Sequence, residues 1–209
     1  MKWKDFLQEK KLRVEFIITI IILSLVLFSL TNFLNFSEIR QGVVLPDPIL
    51  KLFNPVNLTW LTFGLIYLSL ITAIAIFLKD PTRFMLVIQA YSLMIIFRII
   101  AMYALPLNPP ENMIPLNDPF VQFFGTGKLL TKDLFFSGHT ATLFLLFLFA
   151  PNKFFRNLFL ICTITVAAAV ILQHVHYSID VIAAPFFTYT SYRIIILFHK
   201  NLINNWNFK

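Results

Sequence analysis

Apolar residues fall in long unbroken runs along this chain, separated by short clusters of charge and proline. Six runs stand out, at residues 14–34, 58–78, 84–105, 134–150, 155–173 and 178–198. Each holds about 17–22 residues, enough at about 1.5 Å per residue to cross a hydrocarbon layer as a helix, the fourth only just. The runs are continuous rather than alternating, which argues against the strands of a membrane barrel. The pattern predicts an all-α fold: a six-transmembrane-helix bundle over 14–199, preceded by a basic segment at 1–13 and followed by a tail at 200–209. No internal repeat or low-complexity linker divides it, so a single catalytic or binding domain is expected.

Composition strengthens the membrane reading. The chain has 209 residues, 58% of them hydrophobic and only 13% charged. A soluble domain carries about 25% charged residues. The basic start followed by an apolar run resembles a secretory signal. Residues 14–34 are too long for a signal core, however, and no small-residue cleavage site follows, so a retained anchor helix is expected.

The net charge of +7 would raise the question of nucleic acid in a soluble protein. Here the basic residues sit at the ends of apolar runs, which excludes a nucleic-acid partner and sets orientation instead. With the N-terminus inside, the inner segments hold Lys2, Lys4, Lys10, Lys11, Arg13, Lys79, Arg83, Lys153, Arg156, Lys200 and Lys209. The outer segments hold only Arg40, Lys51, Lys128 and Lys132. Both termini are therefore expected to be cytoplasmic. The bilayer itself stays open between a bacterial cytoplasmic membrane and a eukaryotic secretory membrane. Cys162 is single, so no internal disulfide forms.

The inner loops are short and the outer ones long. Pro106, Pro109, Pro110, Pro115 and Pro119 keep the third-to-fourth connection from continuing as helix. Ionisable groups within spans are costly and usually functional. They are Arg98, His139, His176, Asp180 and Arg193. Arg193 lies near an inner end, where it can snorkel to the headgroups. The other four converge on the outer face in the expected topology, although the topology count did not use them.

His176 and Asp180 are four apart and share a helix face. The aspartate can accept the proton of one imidazole nitrogen, fixing the tautomer and freeing the other nitrogen's lone pair to attack. His139 can protonate a leaving oxygen. Arg98 offers planar donors suited to phosphate. Ser137 is a helix N-cap candidate, and Gly138 permits close backbone approach. The free N–H groups beside them favour an anion. Together these residues suit phosphoryl transfer through a phosphohistidine.

Blander readings stand beside this one. His176 and Asp180 alone could be a buried polar pair that locks one helix. His139 and His174 could be interfacial residues. A zinc site from His139, His174, His176 and Asp180 would need a His-x-His pair on one helix face, a spacing better suited to a strand. The expectation is accordingly no metal and no cofactor. Glu111, Asp118 and Asp133 read as solvated loop acids, with Asp133 set apart by its closeness to Ser137 and His139.

Two segments resemble a known family. Lys132-Asp133-Leu134-Phe135-Phe136-Ser137-Gly138-His139-Thr140 and His176-Tyr177-Ser178-Ile179-Asp180-Val181 resemble the signature motifs of the sphingomyelin synthases, within the type-2 phosphatidic acid phosphatase superfamily. The stretch from Arg98 to Leu105-Pro106 and the tail from Tyr192-Arg193 to His199 are also similar to segments of that family. The resemblance covers about residues 84–199. It implies six membrane helices with the site at the outer leaflet. It also implies roles: His176 as nucleophile, Asp180 as its orienting partner, and His139 as acid and then base. Arg98, Ser137, Gly138 and Asp133 would bind the phosphate and headgroup.

Two departures stand out. Thr131-Lys132 replaces the family's Cys-Gly before Asp133, and Val170 stands where the phosphatase branch carries an arginine. The second leaves phosphate anchoring more dependent on Arg98 and favours the synthase-like branch.

The first functional expectation is an integral membrane lipid phosphotransferase. It would move a phosphate-headgroup from a phospholipid to the hydroxyl of ceramide or diacylglycerol. A lipid phosphatase using water and a non-catalytic lipid-binding or transport protein are the alternatives. Discontinuous, repeated half-helices would favour transport, and the sequence shows no such repeat. Membrane lipids are the expected partners, and the sequence leaves a homo-oligomer open.

Overall fold

Helices in this protein start where polar punctuation precedes an apolar run. The computed structural model describes residues 1–116, 130–200 and 202. Seven α-helices occur among them: α1 (Trp3–Gln8), α2 (Lys10–Ile39), α3 (Thr59–Phe77), α4 (Pro81–Ala104), α5 (Gly138–Phe149), α6 (Lys153–Leu172) and α7 (Ser178–Phe198). Asp80 caps α4 by accepting the Arg83 N–H, and Pro81 occupies the first helical position, where its missing N–H costs nothing. Asn152 caps α6 in the same way through Phe155 N–H. No strand forms among the described residues beyond an isolated bridge between Val43 and Leu107.

Five helices are long and apolar enough to cross a membrane: α2, α3, α4, α6 and α7. The expected fourth span is shorter than its apolar run. Its helix has 12 residues, about 18 Å of rise. Residues 133–136 stay non-helical and lead into the Ser137 cap. At the other end Pro151 disfavours helix at Ala150. The expected first span is longer than its run: α2 has 30 residues, about 45 Å.

The helix too short to span is the one most enclosed by protein. Ala141, Leu143, Leu145, Leu146 and Phe149 of α5 are all buried, with α4, α6 and α7 packed around it. By contrast, α2 buries only Leu12, Thr19 and Val26 along its length. Ile17, Ile18, Ile21, Leu25 and Phe28 are exposed, an apolar face that suits hydrocarbon rather than water.

The basic segment at 1–13 is not merely solvated charge. It folds as α1 and the start of α2, with Phe6 and Leu12 buried. The Trp3 indole N–H donates to the Leu78 carbonyl at 2.6 Å.

The connections 78–80 and 150–152 are short and lie at one end of the bundle. The connections 40–58 and 173–177 and the described parts of 105–137 (105–116 and 130–137) lie at the other. Every polar residue discussed next belongs to that second end. Asp118, Pro119, Lys128 and, in the tail, residues 201 and 203–209 lie outside the described residues.

Candidate active site

Asp180 lies in the first turn of α7 and His176 just before its Tyr177 cap, both fully buried, so the two do not share a helix face, contrary to what their spacing predicts. Asp180 is the third helical residue, and its Oδ2 reaches back to accept the Tyr177 N–H at 3.3 Å, the half of a capping box that an acidic residue supplies. The same oxygen lies 3.2 Å from His176 Nδ1. A carboxylate only accepts, so Nδ1 carries the proton and Nε2 bears the lone pair. Among the described residues, the buried Asp180 Oδ1 has no hydrogen-bond partner.

His139 enters from α5. Its ring centroid lies 6.2 Å from that of His176, with the planes inclined by 64°. On its other flank it meets Phe63 of α3 at 6.1 Å. Ser137 caps α5, its Oγ accepting from Thr140 N–H and from the Thr140 hydroxyl. The Ser137 N–H in turn donates to the Asp180 carbonyl at 3.1 Å. The two motifs, nearly 40 residues apart in sequence, are thus tied together by backbone. The Gly138 and His139 N–H groups belong to the first turn of α5, where no intrahelical acceptor exists.

Arg98 crosses from α4 to this helix start. Its guanidinium lies so close to Gly138 that any side chain there would overlap Nη1. Close approach, not backbone flexibility, is the reason for glycine here. Asp133 fixes the guanidinium through Nη2–Oδ1 at 2.7 Å. Asp133 is therefore a partner of Arg98 rather than a free loop acid. Among the described residues the buried Arg98 Nε–H has no partner, so donor capacity remains.

His174 does not join the pair. It is buried, its ring packs edge-on against Phe53, and its Nδ1 lies 3.4 Å from the Glu111 carbonyl. It is a loop lock rather than the interfacial residue expected from sequence. Among the described residues no three His, Cys, Asp or Glu side chains gather closely enough to hold a metal ion.

Gln173 and Asp47 help build the site with no motif to announce them, and Tyr177 does so from within the second motif. Gln173, fully buried, accepts the Leu58 N–H and donates to Thr59 Oγ1 and the Ile114 carbonyl. Tyr177 donates its hydroxyl to the Asn108 carbonyl and accepts from Leu45 N–H. Asp47 accepts from Ser178 N–H and Oγ–H, both at 2.7 Å, and from Ile49 and Leu50 N–H. Burial alone would raise the Asp47 pKa. The Ser178, Ile49 and Leu50 hydrogen bonds outweigh that and hold it below the ordinary aspartate value. The only sequence signal was a polar residue out of place: a glutamine closing an apolar run, and an aspartate between Pro46 and Pro48.

The departures at 131 and 132 also gain an account. Thr131 N–H, its hydroxyl and Lys132 N–H all donate to the Glu38 carboxylate. Lys132 Nζ donates to the Arg40 carbonyl. These two residues dock the segment bearing Asp133 onto the end of α2. Val170 is fully buried in the apolar core, so no cation reaches the site from that position.

Residues 132–199 match the family described as PAP2 superfamily, C-terminal. The matched stretch carries both histidine motifs and supports membership in the type-2 phosphatidic acid phosphatase superfamily. It points to phosphatase- or phosphotransferase-type chemistry on lipids. No curated protein matches the chain.

Proposed function

We propose that this protein is a lipid phosphotransferase of sphingomyelin-synthase type. It moves a phosphate-headgroup from a phospholipid to the hydroxyl of ceramide or diacylglycerol. The observation that carries the reading is the pairing of His176, its Nδ1 held by Asp180, with His139 across a 6.2 Å ring separation.

In the first step His176 Nε2 attacks phosphorus, an N–P bond forms, and the bond to the glycerol oxygen breaks. His139 donates a proton to that oxygen, so diacylglycerol leaves as an alcohol. In the second step the acceptor hydroxyl gives its proton to His139 and attacks phosphorus, and the N–P bond breaks. Arg98 and the first N–H groups of α5 hold the non-bridging oxygens, where negative charge concentrates. Asp133 keeps the guanidinium in place.

The long-loop end then faces outward, in line with the excess of Lys and Arg in the segments assigned to the inside. Water is the alternative acceptor, because the family match reaches the superfamily and no further. Purified protein given labelled phospholipid, with and without ceramide or diacylglycerol, separates the two. Transfer predicts a labelled lipid product that rises with acceptor. Label released into water at a rate indifferent to acceptor contradicts it.

A further inference from the structure

The catalytic helix start is strapped from outside by a residue in a different part of the chain. Asp47 lies in the connection between α2 and α3, yet it is buried. Its Oδ2 takes two hydrogen bonds from Ser178, the first residue of α7, each at 2.7 Å. Its Oδ1 takes the Ile49 and Leu50 N–H groups at 2.9 and 3.4 Å, which closes its own loop into a turn. Ser178 N–H is one of the orphan donors of a helix N-terminus. A negative charge there also suits the helix dipole. Ser178 is two residues from His176 and two from Asp180, so whatever fixes Ser178 fixes both ends of the His176–Asp180 bond.

The geometry points to Asp47 as a positioning residue for His176, acting through Ser178 on the first turn of α7. It touches no reacting atom. Its effect is on orientation, which matters because Asp180 Oδ2 must meet both Tyr177 N–H and His176 Nδ1. A slack first turn would let that oxygen serve one donor and lose the other. The inference rests on the proposed role of His176.

The test uses the purified full chain in detergent with a panel of fluorescent phosphatidylcholine, phosphatidylethanolamine and phosphatidylglycerol. Asp47→Asn keeps shape but turns an NH2 group toward donors. It should lower kcat about ten-fold with KM nearly unchanged, as a mispositioned catalytic group does. Ser178→Ala loses the Oγ donor and keeps the N–H, so it should lower kcat only about two- to three-fold. The double variant should be no slower than Asp47→Asn, because both act through one contact. Asp47→Glu should restore part of kcat.

Leu52→Ala serves as a control on the same loop: Leu52 is exposed, so kcat should stay at the wild-type value. A folded Asp47→Asn protein with wild-type kcat overturns the inference. So does strict additivity of Asp47→Asn and Ser178→Ala. Should Asp47→Asn fail to fold, Ser178→Ala decides: wild-type kcat there overturns the inference as well. His176→Ala separates the two levels of argument. An active His176→Ala protein removes the phosphotransfer reading. An inactive one beside a wild-type-like Asp47→Asn removes only the role of Asp47.

Discussion

Helix α7 carries a histidine–carboxylate pair at each end, and the two are built differently. At its start, His176, just before the Tyr177 cap, meets Asp180 of the first turn, and both are fully buried. Nδ1 is engaged by Asp180, and among the described residues no hydrogen bond reaches Nε2. At its end, His199 meets Glu15 of α2, and both remain partly exposed. There Nδ1 faces the Ile195 carbonyl at 2.9 Å while Nε2 faces Glu15. The same Glu15 oxygen also accepts from Gln89 of α4. One pair leaves a lone pair for chemistry, and the other spends both nitrogens tying three helices together. A histidine beside a carboxylate is therefore not enough to mark a site. What matters is the nitrogen that remains.

The sharpest way to break this comparison is to remove each histidine. His176→Ala should bring lipid turnover below detection with the protein still folded. His199→Ala should leave turnover within about three-fold of wild type and lower stability by about 1–2 kcal/mol. Equal loss of turnover in both variants would erase the distinction.

A smaller loss is expected beside the first pair. Gly138→Ala puts a methyl group where Arg98 lies, so the guanidinium must move off the start of α5. Turnover should fall about ten- to hundred-fold, with Arg98→Lys falling in the same range because an ammonium cannot replace the planar fork. Wild-type kinetics in Gly138→Ala would mean that Arg98 does not serve the phosphate.

At the other end of α7, Glu15→Gln should cost about 1 kcal/mol in thermal stability, since a partly exposed pair is screened by its surroundings. Turnover should be unchanged.

The smallest effect concerns pH. The folded-state pKa of Asp47 is depressed, so its contribution to stability is fully present above the unfolded aspartate value near 3.9 and is lost as pH falls through the folded value. Thermal midpoints of wild type and Asp47→Asn should differ by a constant amount from about pH 5 to 7 and converge below about pH 4. A gap that persists to low pH would show that the strap does not depend on the charge.

Much of this arrangement was legible in the sequence because it is local. The spacing of His176 and Asp180 predicted their contact but not its form: His176 lies before the Tyr177 cap, outside the helix, and Asp180 reaches back around the helix start to meet it rather than sharing a helix face with it. Ser137 before an apolar run predicted the cap of α5. Continuous apolar runs predicted the helices, although two of their lengths differed. Flanking residues that are polar or proline-bound set helix ends, and a hydropathy run does not record them. The sequence also placed Arg98 with the histidines through topology alone. What stayed hidden is non-local. Asp47 meets Ser178 across 131 positions, and Glu38 meets Thr131 across 93. Asp133 read as a loop acid set apart by its closeness to Ser137 and His139, and by resemblance as a headgroup contact, but nothing in its neighbourhood names Arg98 as its partner. His174 looked peripheral for the same reason, since Phe53 and Glu111 reach it only in the fold.

The most direct test of the central claim is to trap the intermediate. The protein is mixed with phospholipid labelled in its phosphate, without acceptor, quenched under alkaline conditions and mapped by mass spectrometry. The account predicts a phosphate-headgroup adduct on His176, absent in His176→Ala, present in His199→Ala and discharged by added acceptor lipid. Label on another residue, or turnover with no adduct at any time before steady state, would contradict it.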